Sequence, residues 1–213
     1  MTIRILIADD HAVVAEGLRA LIDAQPDMEV VGLADNGLEA VKQTLEKKPN
    51  LVVMDNAMPE MNGIEATRII RKTNADVRVV MLSMHSTSVH VRRALGAGAG
   101  GYILKESVGR ELLDAIRTVH AGRRYLSKPL ADDLLDRLAS DAPEDPLSRL
   151  STRERQVLQL IAEGNSVVEV GDKLALSRKT VETYRSRMME KLDLHDLASL
   201  VKFAIQHHLV SLD

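Results

Sequence analysis

Short β-branched runs alternate with helical patterns over the first 120 or so positions. Apolar strand-like segments fall at Ile3 to Ala8, Glu29 to Leu33, Leu51 to Met54, Val77 to Leu82 and Gly101 to Leu104. Between them the 3.6-residue period predicts helices near 11–24, 37–47, 63–73, 88–97 and 108–120, the first placing Val14, Leu18, Leu21 and Ile22 on one face. Strands that are apolar on both faces, each followed by a helix, predict an α/β fold with a five-stranded parallel sheet between two helical layers. Beyond residue 146 the pattern becomes all-helical, with four helices near 152–163, 167–174, 178–191 and 196–206. Capping boxes mark two of their starts, Ser151 with Glu154 and Ser166 with Glu169, and Ser177 is a third N-cap. Residues 129–140 can form a short amphipathic helix. Ser140 to Pro146 is acidic, carries two prolines and reads as a tether. The organisation is therefore a domain at 1–121, a linker at 122–146 and a second, small domain at 147–213.

Composition narrows the classes. The chain has 213 residues, 45% hydrophobic and 28% charged, as expected of a folded globular protein of two small domains. Absence of cysteine excludes disulfides, thiolate metal sites and cysteine nucleophiles. The few aromatics, Tyr102, Tyr125, Tyr184 and Phe203, leave an aliphatic core and no stacking platform for single strands. No apolar run is long enough to span a bilayer and Met1 leads directly into a strand, so a cytoplasmic protein without membrane contact is expected. Net charge is −3 overall, so any nucleic-acid contact must depend on local arrangement.

Gly96, Gly98 and Gly101 satisfy GxGxxG, but they follow a helix and precede a strand. A dinucleotide site needs the reverse order, and the glycines read as a permissive connection. The strand ends carry more chemistry. Asp9 and Asp10 end the first strand, Asp55 the third, Ser83 the fourth and Lys105 the fifth. In an open parallel sheet these ends share the rim where ligands bind. One such Asp alone would merely cap a helix or turn. Three together repel one another and call for a hard divalent cation with oxygen ligands, most simply Mg²⁺.

Asp-Asp after strand one, Asp55 with Met58-Pro59 and Gly63, then Ser83 and Lys105-Glu106 resemble the receiver domain of two-component response regulators. The resemblance implies a flavodoxin-like (βα)5 fold with Asp55 as phosphoacceptor. It implies Mg²⁺ held by the carboxylates of Asp10 and Asp55 and the backbone carbonyl of Ala57, with Asp9 acting through water. Lys105 would pair with the phosphoryl group, Ser83 would turn toward it and Tyr102 would repack inward. Asn56 stands where many relatives carry an apolar residue.

Residues 150–209, with Leu-Ser-Thr-Arg-Glu-Arg at the start and Ser177-Arg178-Lys179-Thr180-Val181 further on, resemble the LuxR-type helix-turn-helix. Together the halves resemble the NarL/FixJ class. On this likeness helix 178–191 enters the major groove. Its spacing independently sends Val181, Tyr184, Met188 and Leu192 to the core, leaving Lys179, Glu182, Thr183, Ser186 and Arg187 on the other side. Arg178, Lys179, Arg185, Arg187 and Lys191 suit phosphates, Glu182 and Thr183 suit base edges, and Thr180 and Ser186 complete the DNA-facing set. Val167, Val168 and Gly171 depart from the family pattern. Leu197, Leu200, Val201 and Ala204 form a stripe that serves either core packing or dimer contact. His195, His207 and His208 lack metal-site spacing.

The resemblance implies a regulator, not an enzyme. A sensor histidine kinase would phosphorylate Asp55, and the activated homodimer would bind promoter duplex DNA sequence-specifically, with RNA polymerase a further partner. Two alternatives remain open: a phosphorylation-independent regulator whose receiver only dimerises, and an Asp-nucleophile phosphohydrolase. The second lacks its usual second Asp, because that position is Ala57.

Overall fold

In the computed structural model, residues 2–84, 86–128, 130, 145–207 and 209–210 are described. Apart from Leu130, the helix expected at 129–140 lies outside them, as do the acidic stretch 140–144 and His208. The chain divides into two compact units, Met1–Met58 with Asn62–Ala142 and Pro143–Asp213 with Pro59–Met61.

The first unit is a parallel sheet of order β2-β1-β3-β4-β5-β6. Its strands are β1 (Ile3–Ala8), β2 (Met28–Ala34), β3 (Leu51–Asp55), β4 (Arg78–Ser83), β5 (Gly101–Leu104) and β6 (Tyr125–Leu126). The connecting helices are α1 (Ala12–Asp23), α2 (Gly37–Lys47), α3 (Gly63–Thr73), α4 (Ser88–Ala97) and α5 (Val108–His120). All of β3 and nearly all of β1 are buried, which explains why these strands read as unbroken apolar runs. On one face of the sheet Ile5, Ile7, Val53 and Ile103 pack against Leu18 and Ile22 of α1 and Leu112 and Ile116 of α5. Strand order reverses between β1 and β3, so the rim beyond their carboxyl ends is the place for a ligand.

The sheet has six strands, not the five expected from the sequence. β6 pairs parallel with β5, setting Tyr125 beside Gly101 and Leu126 beside Tyr102. Two residues are too short to show any period, and β6 exists only through its edge pairing. Beyond it, the Ser127 N–H donates to the Tyr102 carbonyl at 3.1 Å and the Ser127 hydroxyl accepts from Leu104 N–H at 3.3 Å. The same hydroxyl donates to the Glu111 carboxylate of α5 at 2.5 Å, while the side chain of Ser127 is fully buried.

The second unit holds α6 (Thr152–Ala162), α7 (Val167–Leu174), α8 (Arg178–Leu192) and α9 (Leu197–Gln206). Both capping boxes form, at Ser151 with Glu154 and at Ser166 with Glu169. Val157, Leu158, Leu160, Val170, Val181, Met188, Leu200 and Ala204 make the aliphatic core.

Candidate functional site

Each rim residue is delivered by a strand that ends where its side chain is needed. Asp9 follows β1, its N–H donating to the Ala34 carbonyl at 3.0 Å, and Asp55 is the last residue of β3. Lys105 opens a short 3-10 turn (Lys105–Ser107) after β5. Its ammonium lies 3.1 Å from Asp9 Oδ2 and 2.9 Å from Asp55 Oδ2, bridging two carboxylates that are only 3% and 2% exposed. Burial is the main force on Asp55 and pushes its carboxyl up to about 6; Lys105 opposes this and Asp9 reinforces it. For Lys105, burial disfavours the charge, but Asp55 and Asp9 outweigh it and hold the ammonium above its ordinary range.

Asp10 is exposed at the mouth. Its Oδ1 lies 2.9 Å from His11 Nδ1, while the His11 backbone N–H donates to Asp9 Oδ1 at 2.9 Å. Asp9, Asp10, His11 and Asp55 each bring one ligand atom into a group whose members all lie within 4.8 Å of one another. That donor set is dominated by hard carboxylate oxygens and suits a divalent cation such as Mg²⁺. His11 carries no signal in the sequence beyond adjacency to the two aspartates.

The loop from β3 to α3 is fixed by glycine. A Cβ on Gly63 would stand 1.9 Å from the Asp55 carbonyl oxygen, so only hydrogen lets the start of α3 pass that close to the phosphoacceptor candidate. Gly63 N–H donates to the Asn56 carbonyl and Asn56 N–H to the Leu82 carbonyl. Ala57 is exposed in this loop, and Asn56 is buried beside Asp55. Ser83 ends β4, and its side chain hydrogen-bonds Tyr102. Tyr102 is fully enclosed; burial chiefly pushes its hydroxyl up to about 12.

In the second unit, α7 and α8 meet through a tight turn. Ala175 takes a left-handed conformation, Leu176 N–H donates to the Gly171 carbonyl at 2.8 Å, and a Cβ on Gly171 would lie 2.8 Å from the Leu176 carbonyl oxygen. Ser177 then caps α8 by accepting from Thr180 N–H at 3.1 Å. Val181 and Met188 are buried, whereas Arg178, Lys179, Glu182, Thr183, Ser186, Arg187 and Lys191 are exposed and Thr180 and Arg185 half-buried. Several outward groups already have partners. Arg178 pairs with Glu182 at 3.0 Å, Thr183 and Ser186 hydroxyls donate to the carbonyls of Lys179 and Glu182, and Lys191 lies 2.7 Å from the buried Glu154 of α6.

Comparison with known proteins places both units. Residues 5–117 match the response regulator receiver domain and residues 148–204 the bacterial regulatory proteins of the luxR family. The response regulator UvrY of Escherichia coli (strain K12) is 38% identical over 208 residues, covering 97% of this chain and 95% of UvrY. The chain belongs to the NarL/FixJ class of two-component response regulators. The transcriptional regulatory protein LiaR of Bacillus subtilis (strain 168) is likewise 38% identical to this response regulator over 210 residues, covering 98% of it and all of LiaR. A LuxR-family response regulator crystal structure from Aurantimonas sp. SI85-9A1 superposes on the regulator with a TM-score of 0.63 at 39% identity, over 66% of this chain and 100% of that one. Both matched families are regulatory proteins, and the chain is a two-component response regulator with a LuxR-type DNA-binding domain rather than an enzyme, so the phosphohydrolase alternative falls.

The apolar stripe on α9 of the regulator divides. Leu200 and Ala204 enter the core, while Leu197 stays 50% exposed and lines a shallow apolar groove with Val201 and Ile205. His195 is exposed and His207 rests its ring against Phe203 at 4.2 Å. Among the described residues, no helix is long and apolar enough to cross a membrane.

Proposed function

We propose that Asp55 is the phosphoacceptor and that its phosphorylation controls sequence-specific binding of promoter DNA by α8. The observation that carries this is the Lys105 ammonium bridging Asp9 and Asp55 at the sheet's switch point. Above pH 6 the Asp55 carboxylate is predominantly ionised, and one of its oxygens attacks the phosphorus of a kinase phosphohistidine in line. The new O–P bond forms as the P–N bond breaks, and the imidazole leaves with the electron pair and takes up a proton. Lys105 meets the charge on the phosphoryl oxygens, and the Ser83 hydroxyl can exchange its Tyr102 partner for the phosphoryl group. Asp10, Asp55 and the Ala57 carbonyl would hold Mg²⁺, with Asp9 acting through water. Bound there, the cation supplies charge neutralisation to the transferring group.

Downstream, the reading joins the 1–121 and 147–213 domains through the 122–146 segment and gives the active form as a homodimer. The exposed Leu197 and half-buried Val201 on one edge of α9 support a dimer contact. RNA polymerase is then a further partner at the promoter. One observation favours a second reading, phosphorylation-independent regulation: Tyr102 is enclosed in the core and bonded to Ser83. Phosphodonor treatment in magnesium buffer, followed by operator titration, separates the two. The first reading expects label on Asp55 and tighter operator binding, both lost in Asp55→Asn; equal operator affinity of labelled, unlabelled and variant protein would favour the second.

A further inference from the structure

Next to the phosphoacceptor candidate lies a polar group that the phosphotransfer reading leaves idle. Asn56 is 3% exposed, and its Oδ1 is buried with no hydrogen-bond partner among the described residues. A buried acceptor left unmatched destabilises the state that holds it. Its neighbours follow from the sheet. Asp55 pairs with Leu82, and the Asn56 N–H continues that ladder by donating to the Leu82 carbonyl at 2.9 Å, so Asn56 lies alongside Ser83 on adjacent parallel strands. Leu51, Val53, Val80, Leu82 and Ile103 belong to the face covered by α1 and α5. Alternation therefore puts Asn56, Ser83 and Tyr102 together on the opposite face. Adjacent strands run about 4.8 Å apart, and the Tyr102 hydroxyl already reaches Ser83. Asn56 is thus the next polar side chain beyond Ser83 in that row, and all three are buried.

We infer that Asn56 Oδ1 is the acceptor that takes the Tyr102 hydroxyl when Ser83 turns to a phosphoryl group on Asp55, which makes Asn56 a positioning residue for the switch. This rests on the reading of Asp55 as the phosphoacceptor. In this structure the bond between Ser83 and Tyr102 is made and Oδ1 goes unmatched. Once the Ser83 hydroxyl donates to a phosphoryl oxygen, Tyr102 loses that partner in a fully buried position, and its O–H turns to Oδ1. The exchange removes one unmatched acceptor and creates no unmatched donor. With an apolar side chain at position 56, the same turn of Ser83 would strand the Tyr102 hydroxyl, and the phosphorylated form would carry the penalty instead.

The experiment uses the full chain in magnesium buffer, with beryllofluoride as the phosphoryl mimic and fluorine NMR reading its apparent affinity. A change in the balance between the two hydrogen-bonding arrangements moves that affinity by the same factor. Asn56→Leu keeps the branched shape of the side chain and removes its polar atoms. Since an unmatched buried polar group shifts an equilibrium by about fivefold or more, Asn56→Leu should weaken beryllofluoride binding at least about fivefold in the wild-type background. In the Tyr102→Phe background, where no hydroxyl needs an acceptor, the same substitution should change it by less than about twofold. Asn56→Val, with a smaller side chain, should repeat both results. An equal loss in the two backgrounds would make Asn56 a packing residue of the loop, and an unchanged affinity would make it idle; either overturns the inference while leaving Asp55 as phosphoacceptor. Wild type that binds no beryllofluoride removes the phosphoacceptor reading itself, and the inference with it.

Discussion

Replacing Asp55 with Asn should stabilise the protein while abolishing its phosphorylation. The carboxyl of Asp55 is raised from 3.8 to about 6, principally by burial. At roughly 1.4 kcal/mol for each tenfold change in the ionisation equilibrium, keeping it ionised costs the fold about 3 kcal/mol at neutral pH. Asn preserves the shape without the charge, and Lys105 retains Asp9 at 3.1 Å. Some of the lost Lys105 attraction offsets the gain, so about 1–3 kcal/mol should remain, or roughly 3–10 °C in midpoint for a domain of this size. The pH dependence has a definite sign. Because the folded value exceeds the unfolded one, the native state binds the extra proton between about pH 4 and 6, and wild-type stability falls as pH rises through that window. The variant lacks that fall. Its advantage should be small at pH 4, full above pH 6.5 and, on the proposed Mg²⁺ site, reduced by millimolar Mg²⁺. Scanning calorimetry of both proteins in chelator at pH 4 and 7.5 measures it. No gain at pH 7.5, or a gain of equal size at pH 4, would refute burial of an uncompensated charge as the cause.

Gly63→Ala must displace the loop, since its Cβ would meet the Asp55 carbonyl oxygen at 1.9 Å; a loss of about 2–4 kcal/mol by urea unfolding is expected, with slower phosphoryl uptake. Lys191→Ala strips the cation from Glu154, which is 3% exposed, and should cost the C-terminal unit about 2–3 kcal/mol in denaturant titration. Burial pushes the Glu154 carboxyl up, but Lys191 and the Ser151 donors together hold it below the ordinary range. Wild type therefore has this stabilisation above about pH 4.5 and loses it as pH falls further, whereas Lys191→Ala should show a weaker acid dependence in the same titration. For DNA, Lys179→Ala should weaken binding to every sequence and flatten its salt dependence, read by fluorescence anisotropy at several salt concentrations. Thr183→Ala should chiefly change site preference in a selection experiment; the hydroxyl already donates to the Lys179 carbonyl, so its methyl group is the better reader.

The rim was legible because each of its members interrupts an apolar run at a strand end, as Asp9, Asp55, Ser83 and Lys105 all do. The α8 core face was legible for the same reason of period, with Val181 and Met188 buried as their spacing demands. What escaped depends on partners remote in sequence or on geometry too short to repeat. β6 has two residues and no pattern of its own. Lys191 finds Glu154 across 37 positions, so a side chain that looked free for phosphate is already paired. The α9 stripe looked uniform in sequence, but only packing decides that Leu200 goes inward while Leu197 stays out. His11 turns toward the carboxylates through the backbone at the start of α1, which no local pattern announces.

The two-residue edge strand has a mechanical consequence. Ser127 is fastened through its N–H to the carbonyl of Tyr102 and through its hydroxyl to the N–H of Leu104, one position before Lys105. The polypeptide leaving the sheet is thus stitched to the main chain on both sides of Ile103. A small slide of that backbone would be handed on to Ser127 directly, through one main-chain bond and one short hydroxyl arm.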